Sequence, residues 1–182
     1  MDTPARGFTL VELMVAIAVA AIVLTFGVPG FQSFVNGNRL AASANELVAS
    51  LQTARMEAIR RNRRVVVCAS ANANAGNAAR CAAANADGWI TVVDADRSGA
   101  FGPGDSLLRN SVADGRVDVA AFGAVVFRSD GLARDASGDP ADLALRLAID
   151  TDQPLRNVRC VQVRTSGAVS VQVPVANNGA CG

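Results

Sequence analysis

Gly7-Phe8-Thr9-Leu10-Val11-Glu12 opens into an apolar run from Leu13 to Val28. A helix that crosses a bilayer needs about 20 apolar residues, and the segment 8–31 supplies that length with Glu12 as its one ionisable side chain. On insertion scales an ionised group at a helix centre costs roughly 2.5–3.5 kcal/mol, so a carboxylate here calls for a partner. A secretory signal carries its small-residue cleavage site after the apolar core. In this chain basic Arg6 and small Gly7 both precede the core, an order that does not fit an ordinary secretory signal. Gly27 and Pro29 interrupt the run near its end. Proline removes a backbone donor and clashes with the preceding turn, so a kink or local melting is expected there.

Beyond Pro29 the pattern becomes amphipathic. From Asn38 to Arg63 the apolar positions Leu40, Ala44, Leu47, Val48, Leu51, Ala54, Ala58 and Ile59 recur in steps of three and four, which sets one stripe on one helix face. The arginines of Arg60-Arg61-Asn62-Arg63-Arg64 suit the negative end of the helix dipole. Short β-type runs follow at Arg64–Ala69, Gly88–Val93, Ser106–Arg109, Val125–Phe127, Leu143–Ile149, Val158–Val163 and Ala168–Val173. Asp130-Gly131 and Thr165-Ser166-Gly167 read as turns. Between Cys68 and Asp87 an Ala/Asn-rich stretch, Ser70–Arg80, lacks large apolar residues and reads as a surface loop. A long helix followed by clustered strands predicts an α+β fold, with the second half of the helix covering an antiparallel sheet.

The hexapeptide, with Arg6 upstream and the apolar helix behind it, resembles the processing site of type IV pilins and secretion pseudopilins. The resemblance implies that prepilin peptidase cuts between Gly7 and Phe8 and that Phe8 is then N-methylated. It implies three segments: a leader over 1–7, a transmembrane half-helix over 8–31, and a pilin-like periplasmic head with the rest of the helix over 32–182. It also implies that Glu12 pairs with the α-amino group of a neighbouring subunit's Phe8 and so favours one axial register. Farther along, Asn38-Arg39-Leu40, Asn45-Glu46-Leu47, the stretch from Leu51 to Arg61, Gly88-Trp89-Ile90 and the stretch from Val126 to Gly131 resemble the GspH/FimT family. That family contains minor pilins of type IV pili and a minor pseudopilin of type II secretion. Membership would make this chain a low-abundance subunit that initiates or caps a filament. It would be anchored in the inner membrane and carried to the filament tip, with other pilin or pseudopilin subunits as partners.

Some members bind DNA for uptake through a Gly-Arg-x-Arg motif in the last hairpin. The matching place here is Gly167-Ala168-Val169-Ser170, without either arginine. Arg156, Arg159 and Arg164 lie close in sequence and form an alternative basic patch for a DNA receptor, since phosphate contacts need only positioned cations. Against it, the segment 87–152 carries 12 acids and six arginines, and the whole chain has a net charge of only +1.

All 17 basic residues are arginine, and histidine is absent. This removes the usual general base and the commonest transition-metal ligand. With no constellation of catalytic groups, the sequence reads as a structural, non-enzymatic subunit, and no cofactor is assigned. Cys68, Cys81, Cys160 and Cys181 lack close CxxC spacing and read as two disulfides formed in an oxidising compartment. Of three connectivities, Cys68–Cys81 with Cys160–Cys181 closes the shortest loops and is favoured. Asp94-Ala95-Asp96-Arg97-Ser98-Gly99, with Asp105 at the twelfth position, mimics the spacing of a calcium loop. Arg97, an aspartate where glutamate is usual, and strand-like flanks depart from that pattern. A glycine-rich hairpin turn explains the same residues, so no metal is assigned.

Overall fold

The computed structural model describes residues 7–176 and 178–181, apart from the side chains of 26–29. The kink expected at Gly27 and Pro29 falls outside the described residues, as does most of the segment 1–7. Helix α1 runs Leu10–Arg61. Thr9 caps its start, the Oγ1 accepting from the Glu12 N–H at 3.2 Å, which satisfies one of the orphan donors of the first turn. Asn62 ends it in the left-handed region at φ 51°, a conformation asparagine tolerates. In the last turn Glu57 accepts from both Arg60 and Arg61, and these two guanidinium groups hold its carboxyl down at about 2.

Among the described residues nine strands follow: β1 Arg64–Ser70, β2 Gly88–Asp94, β3 Ser106–Val112, β4 Asp118–Val119, β5 Val125–Phe127, β6 Ala133–Arg134, β7 Asp142–Ala148, β8 Val158–Arg164 and β9 Val169–Gln172. They form two antiparallel sheets, ordered β3-β2-β1-β5-β6 and β4-β7-β8-β9. The α+β expectation holds, with the sheet divided in two. The two-residue strands β4 and β6 carry too little pattern to be read from sequence, because alternation needs several residues to show. The sheets are joined by the Ala133 N–H donating to the Thr165 carbonyl at 2.9 Å and by the Ala141 N–H donating to the Ala133 carbonyl at 3.3 Å.

The stripe of α1 is the centre of the main core. Leu40, Ala44, Leu47, Leu51, Ala54 and Ala58 are buried against Val65, Val67, Trp89 and Phe127 of the first sheet and Leu145, Leu147, Val161 and Val163 of the second. Each fully buried leucine contributes about 1.5–3 kcal/mol. Two members of the expected stripe differ. Val48 is only partly buried at its margin, and Ile59 is 52% exposed, because the helix has by then reached the edge of the sheets and ends two residues later.

The first sheet is buried on both faces, which explains the uninterrupted Val65-Val66-Val67. Val66, Ile90, Val92 and Val126 point away from α1 and pack with Ala73 and Ala79. The Ser70–Arg80 stretch is therefore more than a surface loop. It contains a 3₁₀ turn, Ala73–Ala78, and Ala73 at its start and Ala79 just after it are small enough to lie flat on the sheet, while Ala75 and Ala78 stay exposed. Asp87 accepts from the Ala73 N–H at 3.1 Å, and Asn110 donates to the Ala73 carbonyl at 3.0 Å, so the backbone groups of Ala73 are matched as its methyl group is buried.

Trp89 is fully enclosed, and its indole N–H donates to Ser50 Oγ on α1 at 2.9 Å. A buried donor without an acceptor costs about 1–3 kcal/mol. Ser50→Ala is expected to destabilise the full chain by about that amount, read as a lowered midpoint of chemical unfolding followed by Trp89 fluorescence.

Candidate assembly surface

The N-terminal half of α1 projects from the head. Every residue from Gly7 to Thr25 is exposed, and the large side chains among them are apolar. Phe8 is 82% exposed, with Leu10, Met14, Ile17, Ile22 and Leu24 each above half. Phe31 and Phe34 extend the apolar surface to the edge of the head. A helix that is apolar all round belongs in a membrane or in the core of a larger assembly, and exposed apolar patches of this extent mark interaction sites. The transition comes at Asn36, which is buried and donates from Nδ2 to the Gln153 carbonyl at 2.9 Å. From Leu40 onward the helix is held by the head.

Glu12 stands exposed on this apolar surface, within the first turn of α1. There the partial positive charge of the helix N-terminus favours an anion. No ion pair to Glu12 occurs among the described residues. Thr9, three residues before Glu12, is a cap that the apolar pattern alone does not reveal. The Thr-x-x-Glu spacing was its signal.

The structure joins Cys68 to Cys81 and Cys160 to Cys181, with Cα–Cα distances of 5.5 and 5.6 Å. The first bond ties the 3₁₀ turn to β1. The second fastens the C-terminal segment to the outer face of β8, beside Ala148 and Val158.

The three arginines of the alternative DNA patch do not share one surface. Side chains alternate along a strand, so Arg159 lies on the side of Val161 and Val163, whereas Arg164 lies on the opposite side with Cys160 and Gln162. Arg164 is paired with Asp142 at 2.6 Å. Arg159 is half-buried and donates to the carbonyls of Arg156 and Val158 at 3.0 and 2.9 Å. Burial, with the Arg156 charge beside it, presses its pKa down. A different basic feature emerges at the far end of α1. Arg63, Arg64, Arg97, Arg128 and Arg134 line an open cleft of about 620 Å³ with Asp94. These arginines come from four separate segments, so no sequence run announces the cleft.

The sequence profile of the family described as type II transport protein GspH matches residues 43–168. The chain belongs to the GspH family. A second profile, the prokaryotic N-terminal methylation motif, matches residues 3–28, so the exposed apolar helix and the head each have a counterpart. No curated protein matches the chain. Among solved structures it is similar to the type IV minor pilin FimU of Pseudomonas aeruginosa strain PAO1 in two crystal forms. One match has 19% identity and a TM-score of 0.50, covering 75% of this chain and 98% of FimU. The other has 18% identity and a TM-score of 0.51, with coverage of 79% and 98%. At that identity the likeness is one of fold: a long helix packed on an antiparallel head. The protein is thus a pilin-like structural subunit of filament assembly, with an apolar helix of the kind that anchors pilins in the inner membrane.

The sequence separations of the two disulfides are 13 and 21. A closed loop near this size is worth about 3 kcal/mol in the chain-entropy model. Cys68→Ala/Cys81→Ala is expected to lower stability by about that amount and to open the 3₁₀ turn to proteolysis. Limited digestion with a mass readout of cleavage between 70 and 81 would check both effects together.

Proposed function

We propose that this GspH-family protein is a minor subunit that initiates or caps a filament of the type IV pilus or type II secretion class. In this reading prepilin peptidase cuts between Gly7 and Phe8, removing 1–7, and Phe8 is N-methylated. The segment 8–31 holds the subunit in the inner membrane, and the head over 32–182 stands in the periplasm until assembly carries it to the filament tip.

The observation that carries the proposal is a single carboxylate, Glu12, on a helix surface otherwise apolar from Leu10 to Leu24. In a filament the apolar side chains leave lipid for the packed helices of neighbouring subunits. Van der Waals contact between apolar helices gives little axial specificity, because sliding one helix along another exchanges like for like. An ion pair in low dielectric is steeply distance-dependent. Glu12 pairing with the α-amino group of a neighbour's Phe8 would therefore select one register. That amino group exists only after cleavage, so processing would also switch on assembly. The head supplies contacts to other minor subunits.

Glu12→Ala is expected to leave the chain processed and in the membrane fraction while incorporation into sheared filaments falls at least tenfold. N-terminal sequencing of the wild type should return methylated Phe8. Wild-type levels of the Glu12→Ala chain in filaments, or an unprocessed N-terminus in the assembled protein, would overturn the proposal.

A further inference from the structure

We propose that the loop between β2 and β3 is a calcium site built by Asp94, Asp96 and Asp105. One oxygen from each of the three carboxylates lies within 4.8 Å of the others. Calcium binds oxygens at about 2.3–2.6 Å, so oxygens sharing one ion are separated by up to about this distance. Three carboxylates drawn together this closely offer a divalent cation three hard oxygen ligands.

A second observation, independent of the clustering, comes from Asp94. Its side chain is wholly enclosed, and its Oδ1 has no hydrogen-bond partner. Burying an ionised carboxylate without compensation is strongly unfavourable. The nearest base does not supply it. Arg64 Nε stands 3.8 Å from Asp94 Oδ2, the other oxygen, and that Nε is itself buried without a hydrogen bond.

The backbone holds the other two ligands in place. Asp105 accepts from the N–H groups of Ala95 and Gly102, both at 2.8 Å. Asp96 accepts from the Ser98 N–H at 2.9 Å, and Asp94 Oδ2 from the Gly99 N–H at 3.2 Å. The chain reverses through left-handed conformations at Arg97 and Gly99, with φ 63° and 76°, and Arg97 is exposed. Flanking strands replace the helices of the usual calcium loop, yet they bring the first and last carboxylates together just as well. All three ligands are hard oxygen donors, the kind calcium takes, and its tolerance of irregular coordination suits a site completed by water. This inference goes beyond filament assembly and does not rest on it.

The test is thermal unfolding of the full oxidised chain in detergent micelles, first depleted of divalent ions and then titrated with CaCl2 or MgCl2 to about 10 mM, well above the ~0.1–1 mM dissociation constants of extracellular calcium modules. Calcium is expected to raise Tm by about 5 °C in the wild type, and by less than about a fifth of that in Asp96→Asn and Asp105→Asn. Equilibrium dialysis of the wild type with radioactive calcium, which does not depend on the variants folding, should find one ion per chain. No rise in the wild type, an undiminished rise in both variants, or no bound ion on dialysis would overturn the site. An equal rise with magnesium would overturn its assignment to calcium.

Discussion

One face of α1 is shared by two sheets, and the head depends on that arrangement. Leu47 and Leu51 are fully buried in a core that includes Val65 and Phe127 from one sheet and Leu145 and Val161 from the other. The sheets themselves meet through few bonds, such as that from Ala133 to Thr165. The helix is what gives both inner faces something to cover them. Gly131 and Gly167 show how tightly this seam is drawn. Both have positive φ, 78° and 75°, and a Cβ at Gly167 would overlap the Gly131 carbonyl oxygen. Arg55 reaches from α1 to donate to the Gly167 carbonyl at 3.2 Å, so helix, first sheet and second sheet converge there.

A second link between α1 and the sheet is electrostatic. Glu46 accepts from Arg109 at 2.6 Å and from Ser111 at 2.8 Å, both on β3. Burial raises its pKa, but the two hydrogen bonds and the Arg109 charge outweigh it and hold the carboxyl below the usual value. Such a contact favours the folded chain above the ordinary glutamate range and fades as pH falls through the lowered pKa. Its partial exposure makes it a modest term beside the leucines.

Much of this was legible in the residues, for identifiable reasons. The helix announced itself through two patterns in succession, apolar all round and then striped. The long strands showed as β-branched runs between turns. Asp130-Gly131 and Ser166-Gly167 marked hairpins that the structure contains. What stayed hidden depends on contacts across the chain. The Ser70–Arg80 stretch looked polar because its buried parts are alanines, which pack only when a flat apolar sheet face is offered to them. The arginine cleft draws on four separate segments. Arg156, Arg159 and Arg164 look adjacent in sequence, but strand alternation sends Arg159 and Arg164 to opposite sides. The calcium-like spacing at Asp94 was visible, whereas the orphaned oxygen inside it required three dimensions.

The disulfide between Cys68 and Cys81 has a temporal side. It closes the layer formed by Ala73 and Ala79 over the outer face of the first sheet. Thiols stay reduced in the cytosol and pair in an oxidising compartment, so this layer is locked only once the head meets oxidising conditions. The inner core around α1 has no such requirement, because neither disulfide lies within it. The outer layer of the head therefore waits on oxidation, and the core around α1 does not.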